Sequence, residues 1–328
     1  MAEPRLDVSV VIPTRGRWHL LSRAALPAAL RQRGVDYEVV VVDDGSDDET
    51  PERLAELDDA RLVVVRHERS LGVAHARNAG IAAARGRWVS FLDDDDLWAP
   101  NKLAAQLAAA SAARAIFAYA AGAGLDAAHR YLFAVAAPDP ASVTRQLLRW
   151  NVIWCGCSNV IARTDVVREL GGFDEGLSQL ADWDLWIRLA LAGPAAVAHD
   201  VLVGYVMHQE SMLLTDRRDV FPELEILAAK HRAAHARYGV ELDRALFARW
   251  VARGHRLAGR RVAAAKTYAH GAVRYRDPAG LVRAAGSFLP RRALEASRRL
   301  AGVERRTGLE DRANPEPAWI GRFRRDEA

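Results

Sequence analysis

The chain has 328 residues, half of them apolar, a formal net charge of +4 and a pI near 9.3. That length and apolar share suffice for one large domain or two smaller ones around a real core, and they exclude disorder throughout. Two cysteines, Cys155 and Cys157, are too few for a structural zinc site or a disulfide framework, so buried free thiols are expected.

A strand-like run begins at Val8 with no basic-then-apolar leader before it. No uninterrupted stretch reaches the ~20 apolar residues of a membrane span. The reading is therefore a cytoplasmic protein. The positive balance does not mark a nucleic-acid surface, because lysine occurs only at 102, 230 and 266 and the Ala/Arg abundance runs along the whole chain.

Four short valine-rich runs, "VSVVI" (8–12), "YEVVVV" (37–42), "RLVVVR" (61–66) and "RWVSFL" (87–92), read as buried strands. Segments 17–33, 50–57 and 73–85 carry apolar residues at three- and four-residue spacing and read as covering helices. The alternation predicts an α/β fold with a doubly wound, mainly parallel sheet and helices on both faces. From about 113 to 215 the pattern loosens into short segments. After about 216 it turns into Ala-, Leu- and Arg-rich helices broken at Gly239, Pro278 and Pro290, with a poorly packed tail from about 307. The expected domains are thus 1–215, divided near 112 into a nucleotide half and an acceptor half, and a helical region 216–328.

Ligands of open α/β sheets bind beyond the carboxyl ends of the strands. Two strands end in acid there: Asp43 and Asp44 in "VVVVDDGS", and Asp93 to Asp96 in "FLDDDD". The loop "IPTRGRW" after the first strand has neither a dinucleotide fingerprint nor a Walker loop, so a phosphate ligand needs another source of positive charge. A divalent cation supplies it. If the aspartate run is extended, alternation puts Asp93 and Asp95 on one side, and their hard oxygens suit Mg²⁺ or Mn²⁺. Asp43 and Asp44 are placed for ribose hydroxyls or a base, and an ordinary turn is the plain alternative. Arg77 and Asn78, early in a helix, can point a cation and an amide at the same crevice.

In "ADWDLWIRLALAG", Trp183, Trp186, Ile187 and Leu191 form an apolar stripe. Asp182 reads as the helix N-cap and Asp184 to Arg188 as an i,i+4 ion pair. Group transfer to a hydroxyl needs a general base, and Asp182 is the candidate. A phosphoacceptor module is disfavoured because the third strand ends "VVVRHERS" without a lone acceptor aspartate.

Together "VSVVIPTRGR", "YEVVVVDDGSDDET", "GVAHARNAGIAAARGRWVSFLDDDDLWAP" and "LGGFDEGLSQLADWDLWIRLALAG" resemble family 2 glycosyltransferases of the GT-A fold, over roughly residues 8–210. The resemblance implies transfer of a sugar from a nucleotide-diphosphate donor, UDP- or dTDP-linked, to an acceptor hydroxyl with inversion. It implies that Pro13 and Thr14 line the nucleoside site, that Asp44 and Arg77 contact the base, and that Asp43 and Asp94 lie on the nucleotide side. Asp93 and Asp95 would form the Asp-x-Asp motif, with Asp95 the direct ligand of Mn²⁺ or Mg²⁺. Asp182 would be the base, with Ala181 replacing the usual glutamate before it. His208 falls where some members carry a histidine near the metal or phosphate. The acceptor would be a sugar, a lipid-linked or a small-molecule hydroxyl, as in cell-envelope glycoconjugate synthesis. The alternatives are a non-catalytic nucleotide-sugar binder and a nucleotidyltransferase. "RAAGSFLPRRALEASRRL", within a stretch holding sixteen Lys or Arg against three Asp or Glu between 244 and 306, could lie on the inner face of an anionic membrane.

Overall fold

The computed structural model describes residues 6–208, 218–289, 310–311 and 315–324. The first half of the sheet comprises β1 (Val8–Thr14), β2 (Tyr37–Asp43), β3 (Leu62–Arg66) and β4 (Trp88–Phe91), parallel in the order β3-β2-β1-β4. β1 and β2 are buried along their whole length, which is why both read as unbroken apolar runs. β3 is the edge strand and is only partly covered; Val64 is exposed, so the expectation of four buried strands holds for three. The order reverses between β1 and β4, the switch point at which such sheets open a crevice. Thr14 pairs in register with Asp43, so the carboxyl ends of β1 and β2 stop level at that crevice.

The helical segment expected over 17–33 is two helices, α1 (Trp18–Leu21) and α2 (Ala25–Leu30). Pro27 is the cause: its ring has no N–H and clashes with a carbonyl four residues back, so it is tolerated only in the first turn of a new helix. α3 (Thr50–Ala55) and α4 (Val73–Ala83) follow expectation. α4 packs hard on β1 at Gly80, where an added Cβ would come within 2.2 Å of Val11 Cγ1.

The second half extends the sheet with antiparallel pairs. β5 (Leu97–Trp98), α5 (Lys102–Ala113), β6 (Phe117–Asp126), β7 (Tyr131–Val135) and α6 (Val143–Arg149) precede a 3-10 turn, Gly156–Asn159. Then come β8 (Ile161–Arg163), α7 (Thr164–Glu169), α8 (Ala181–Ala192), β9 (Ala195–Met207) and β10 (Glu310–Asp311). The described strands form one mixed sheet in the order β10-β7-β6-β8-β4-β1-β2-β3, with β9 paired to β5 and β6. Both cysteines are free and buried.

The chain divides into two units: Met1–Leu147 with Asn151–Met207 and Glu310–Ala328, and Leu148–Trp150 with His208–Leu309. The tail expected to be loose from about 307 includes packed residues. Ile320 is fully buried in the first unit, and Trp319 Nε1 donates to Val201 O at 2.8 Å. The second unit consists of helices Phe221–Lys230, Arg232–Tyr238, Arg244–Leu257, Arg261–Arg274 and Ala279–Gly286. Phe247 stacks edge-on with Trp150 and Phe221, and Asp243 caps the third helix through Leu246 N. Gly239, at φ +59°, ends the second helix as expected, whereas Pro290 lies outside the described residues. No helix among the described residues is long and apolar enough to cross a membrane.

Lys102 is buried in the core of the first unit. Its Nζ donates to Ser90 Oγ at 2.8 Å and lies 3.7 Å from the Trp98 ring centroid. Burial pushes its ammonium well below the ordinary lysine value, with the Cys155 thiol opposing that only in part. The folded state therefore holds fewer protons than the unfolded chain, and stability rises with pH toward the ordinary lysine range. Lys102→Met is expected to stabilise the protein at neutral pH by ~1–4 kcal/mol. In urea unfolding that gain should shrink as pH climbs toward the ordinary value of 10.5; a loss of stability at neutral pH would contradict the reading.

Candidate active site at the ends of the central strands

The aspartate run is not extended. Asp96 N donates to Asp93 O at 3.1 Å, closing a tight turn, so the four carboxylates fan out instead of alternating. Each is met by a partner, and Asp94 and Asp95 share one. Asp93 Oδ1 accepts from Arg77 Nη2 at 2.5 Å. Asp94 accepts from Thr14 Oγ1 at 2.8 Å and pairs with Arg17 Nη2 at 2.9 Å. Asp95 pairs with the same Arg17 nitrogen at 2.5 Å. Asp96 accepts from Ser158 Oγ at 2.5 Å and from Val206 N at 3.0 Å, tying the turn to β9.

The electrostatics follow from burial. Desolvation lifts Asp94 to about 7, against the pull of Arg17. Desolvation also drives Asp96 well above the ordinary carboxylate range, with Asp95 and Asp93 adding to the effect. Asp93 and Asp95 are the more open carboxylates, at 32% and 14% side-chain exposure.

Asp44 follows the end of β2. It accepts from His67 Nδ1, Ser70 Oγ, Leu71 N and Gly72 N at 2.7–2.9 Å, so its oxygens are spent on the 67–72 loop. Gly45 beside it, at φ +72°, lies against that loop; a Cβ would come within 2.6 Å of Ser70 N. At Asp43, Oδ1 accepts from Ser46 N at 2.9 Å, while the buried Oδ2 has no hydrogen-bond partner and lies 3.6 Å from Arg66 Nε. Pro13 precedes Thr14 at the end of β1. Asn78 does not reach the crevice. It bonds Phe173 N, Phe173 O and Glu175 Oε1, holding the loop between α7 and α8.

Asp182 lies in the first turn of α8, one residue inside the start; the N-cap is Leu180, not Asp182. Its Oδ1 accepts from Trp183 N at 2.6 Å. Part of its surface stays open, yet desolvation lifts its carboxyl to about 6, with Arg77 pulling down and Asp93 pushing up. Arg77, buried and stacked 5.4 Å from the Phe173 ring centroid, thus acts on both Asp93 and Asp182. The i,i+4 pair is present: Arg188 Nε donates to Asp184 Oδ2 at 2.8 Å, and the guanidinium also bonds Leu170 O and Gly172 O.

Three residues that the sequence reading did not single out complete the arrangement. Arg17 balances Asp94 and Asp95. Ser158 Oγ accepts from Asp93 N at 3.1 Å while donating to Asp96. Gly156, at φ +49°, lies where an added Cβ would be 3.1 Å from Asp182 Oδ2. The turn Gly156–Asn159 therefore links the aspartate turn to the start of α8.

Residues 9–171 match the profile of the family described as "Glycosyl transferase family 2". The chain belongs to that family. Similar curated relatives include the UDP-Glc:alpha-D-GlcNAc-diphosphoundecaprenol beta-1,3-glucosyltransferase WfgD of Escherichia coli, 35% identical over 100 residues, 30% of this chain and 39% of the relative. Succinoglycan biosynthesis protein ExoO of Rhizobium meliloti is 36% identical over 109 residues, 33% of this chain and 31% of the relative. These matches span well under half of each relative's length. The crystal structure of S. aureus TarS 1-349 in complex with UDP superposes with a TM-score of 0.51 at 19% identity, over 92% of this chain and 93% of that one, a likeness of fold.

The family 2 site can hold a divalent cation by its donor chemistry. Asp93 and Asp95 offer hard, partly open oxygens, and among the described residues no group of three or more His, Cys, Asp or Glu forms a cage. A pair of carboxylates suits an ion that keeps most of its ligands as water and substrate phosphate. His208 follows β9 and belongs to the second unit.

Four donors converge on Asp44, and although burial pushes its carboxyl up, the bonds from Leu71 N, His67, Ser70 and Gly72 hold it below the ordinary value of 3.8. The stability it contributes is present above that value and lost as pH falls through the lowered one. Asp44→Asn is expected to cost ~1–3 kcal/mol at neutral pH, read from urea midpoints. The gap between variant and parent should close in acid; a gap that widens there would contradict the assignment.

Proposed function

We propose that this family 2 chain is an inverting glycosyltransferase that moves a sugar from a nucleoside-diphosphate donor to an acceptor hydroxyl, with Asp182 as general base. The observation that carries the reading is the Arg77, Asp93 and Asp182 cluster, because it brings a partly open carboxylate tuned to about 6 beside the aspartate turn. A base with a value near the working pH takes a proton efficiently.

The nucleoside lies at the ends of β1 and β2, by Pro13, Thr14 and Asp43, whose Oδ2 is ion-paired with Arg66. Asp44 shapes this pocket through the 67–72 loop. Asp95 and Asp93 would hold Mn²⁺ or Mg²⁺, which when bound offsets negative charge on the diphosphate. Arg77 holds Asp93, and Arg17 holds Asp94 and Asp95. The acceptor oxygen attacks the anomeric carbon from the face opposite the diphosphate. The new carbon–oxygen bond forms as the bond to the diphosphate breaks, and Asp182 receives the hydroxyl proton. One displacement inverts the anomeric centre.

A UDP-sugar donor and a lipid-linked diphosphate-sugar acceptor are the favoured pair, on the strength of the UDP-Glc and diphosphoundecaprenol chemistry in the name of the relative WfgD. Asp182→Asn is expected to lower turnover ~10²–10⁴-fold while UDP affinity stays unchanged, measured as UDP release from UDP-sugars with a lipid diphosphate-sugar acceptor. The parent's rate should rise with pH through about 6 and level off above it, as a base that must be ionised requires. Full turnover in Asp182→Asn would remove the base from this residue.

A further inference from the structure

The last described helix of the second unit, Ala279–Gly286, carries its apolar side outward. Leu281, Val282, Ala285, Phe288 and Leu289 recur at i, i+1, i+4, i+7 and i+8, the pattern of one helical face, and all five are exposed, Val282 at 75%. The turn that continues the helix is held by Ser287, Phe288 and Leu289 amides donating to Ala284, Ala285 and Gly286 carbonyls. The inward side is made of small and polar groups: Gly280, where a Cβ would come within 2.7 Å of Tyr268 O, and buried Ser287. A surface helix ordinarily buries its apolar stripe and exposes its polar one. Here the arrangement is reversed.

The charge along this part of the unit is mainly positive; Glu225, on the unit's first helix, is paired with Arg244 and lies near Arg274. Between residues 244 and 289 the single acid is Asp277, and it is already paired with Arg249 at 3.3 Å and Arg283 at 3.4 Å. Exposed Val273, Arg274 and Arg276 lie just before the helix. The sequence 290–309, whose structure lies outside the described residues, adds six arginines against two glutamates. A second copy of the same face would bring like charge against like. An acidic surface with an apolar interior matches both features.

We propose that this stripe docks on an anionic phospholipid bilayer, with Leu281, Val282, Phe288 and Leu289 entering the headgroup boundary and the surrounding arginines meeting lipid phosphates. The inference is independent of the donor site, because it rests on other residues.

The test is co-sedimentation of the full-length protein with vesicles of phosphatidylcholine alone and of phosphatidylcholine mixed with phosphatidylglycerol, at low and high salt. Capture is expected only by the anionic vesicles, weakening as salt screens the arginines. Val282→Glu/Phe288→Glu should reduce it about tenfold or more. Both positions are exposed, so the variant folds, and unchanged thermal unfolding and UDP binding verify that. Equal capture by neutral vesicles, no capture by either, or undiminished capture of the variant would overturn the proposal. So would a concentration-dependent dimer in sedimentation velocity that the variant abolishes, since a second copy would then cover the stripe.

Discussion

Four carboxylates within one turn repel one another, and the first unit is organised around holding them there. At such spacing in a partly buried site, each like-charge contact costs on the order of a few kcal/mol. The cost is divided among several elements: Thr14 at the end of β1 and Arg17 just after it, Arg77 on α4, Ser158 in the 3-10 turn and Val206 on β9. Burial then moves Asp94 and Asp96 toward the protonated form, which relieves the repulsion further. What remains is a turn presenting two open carboxylates, fixed on all sides before a ligand arrives. Fixed charges of this kind favour a developing charge in a substrate without having to reorganise.

The same frame tunes the base. Arg77 is shared between Asp93 and Asp182, so the state of the aspartate turn is felt at α8. A ligand that draws Asp93 toward itself would alter the field of Arg77 on Asp182. Gly156 and Ser158 make this coupling mechanical as well as electrostatic, since one short turn touches both groups.

Much of this was legible in the sequence where local chemistry decides. The valine runs mark β1, β2 and β4, the last two ending in acid, and the order of motifs points to the family. Legibility failed where long-range packing decides. β6 reads "FAYAAGAGLD", poor in β-branched residues, because its glycines admit Cys155 Sγ and the Phe133 ring where a Cβ would clash; a strand chosen for close approach carries a weak strand signal. The aspartate run looked extended because alternation is the only geometry a single segment suggests, whereas the turn is imposed by partners 62–110 residues away. Arg17 was passed over because its value depends on β1 and β4 being neighbours, which spacing along the chain does not encode. The bonds that engage Asp44 are equally hidden, because its oxygens serve a loop whose return to the end of β2 is a tertiary event.

The aspartate turn and the ends of β1 and β2 are proposed to form a metal-assisted nucleotide site. Calorimetric titration with UDP, dTDP and GDP, each with and without Mn²⁺, on the parent and on Asp95→Ala tests it most directly. One nucleotide, UDP foremost, is expected to bind in a metal-dependent manner, and Asp95→Ala is expected to lose the metal dependence. Absence of binding by all three under every condition, or binding that Asp95→Ala leaves intact, would contradict it.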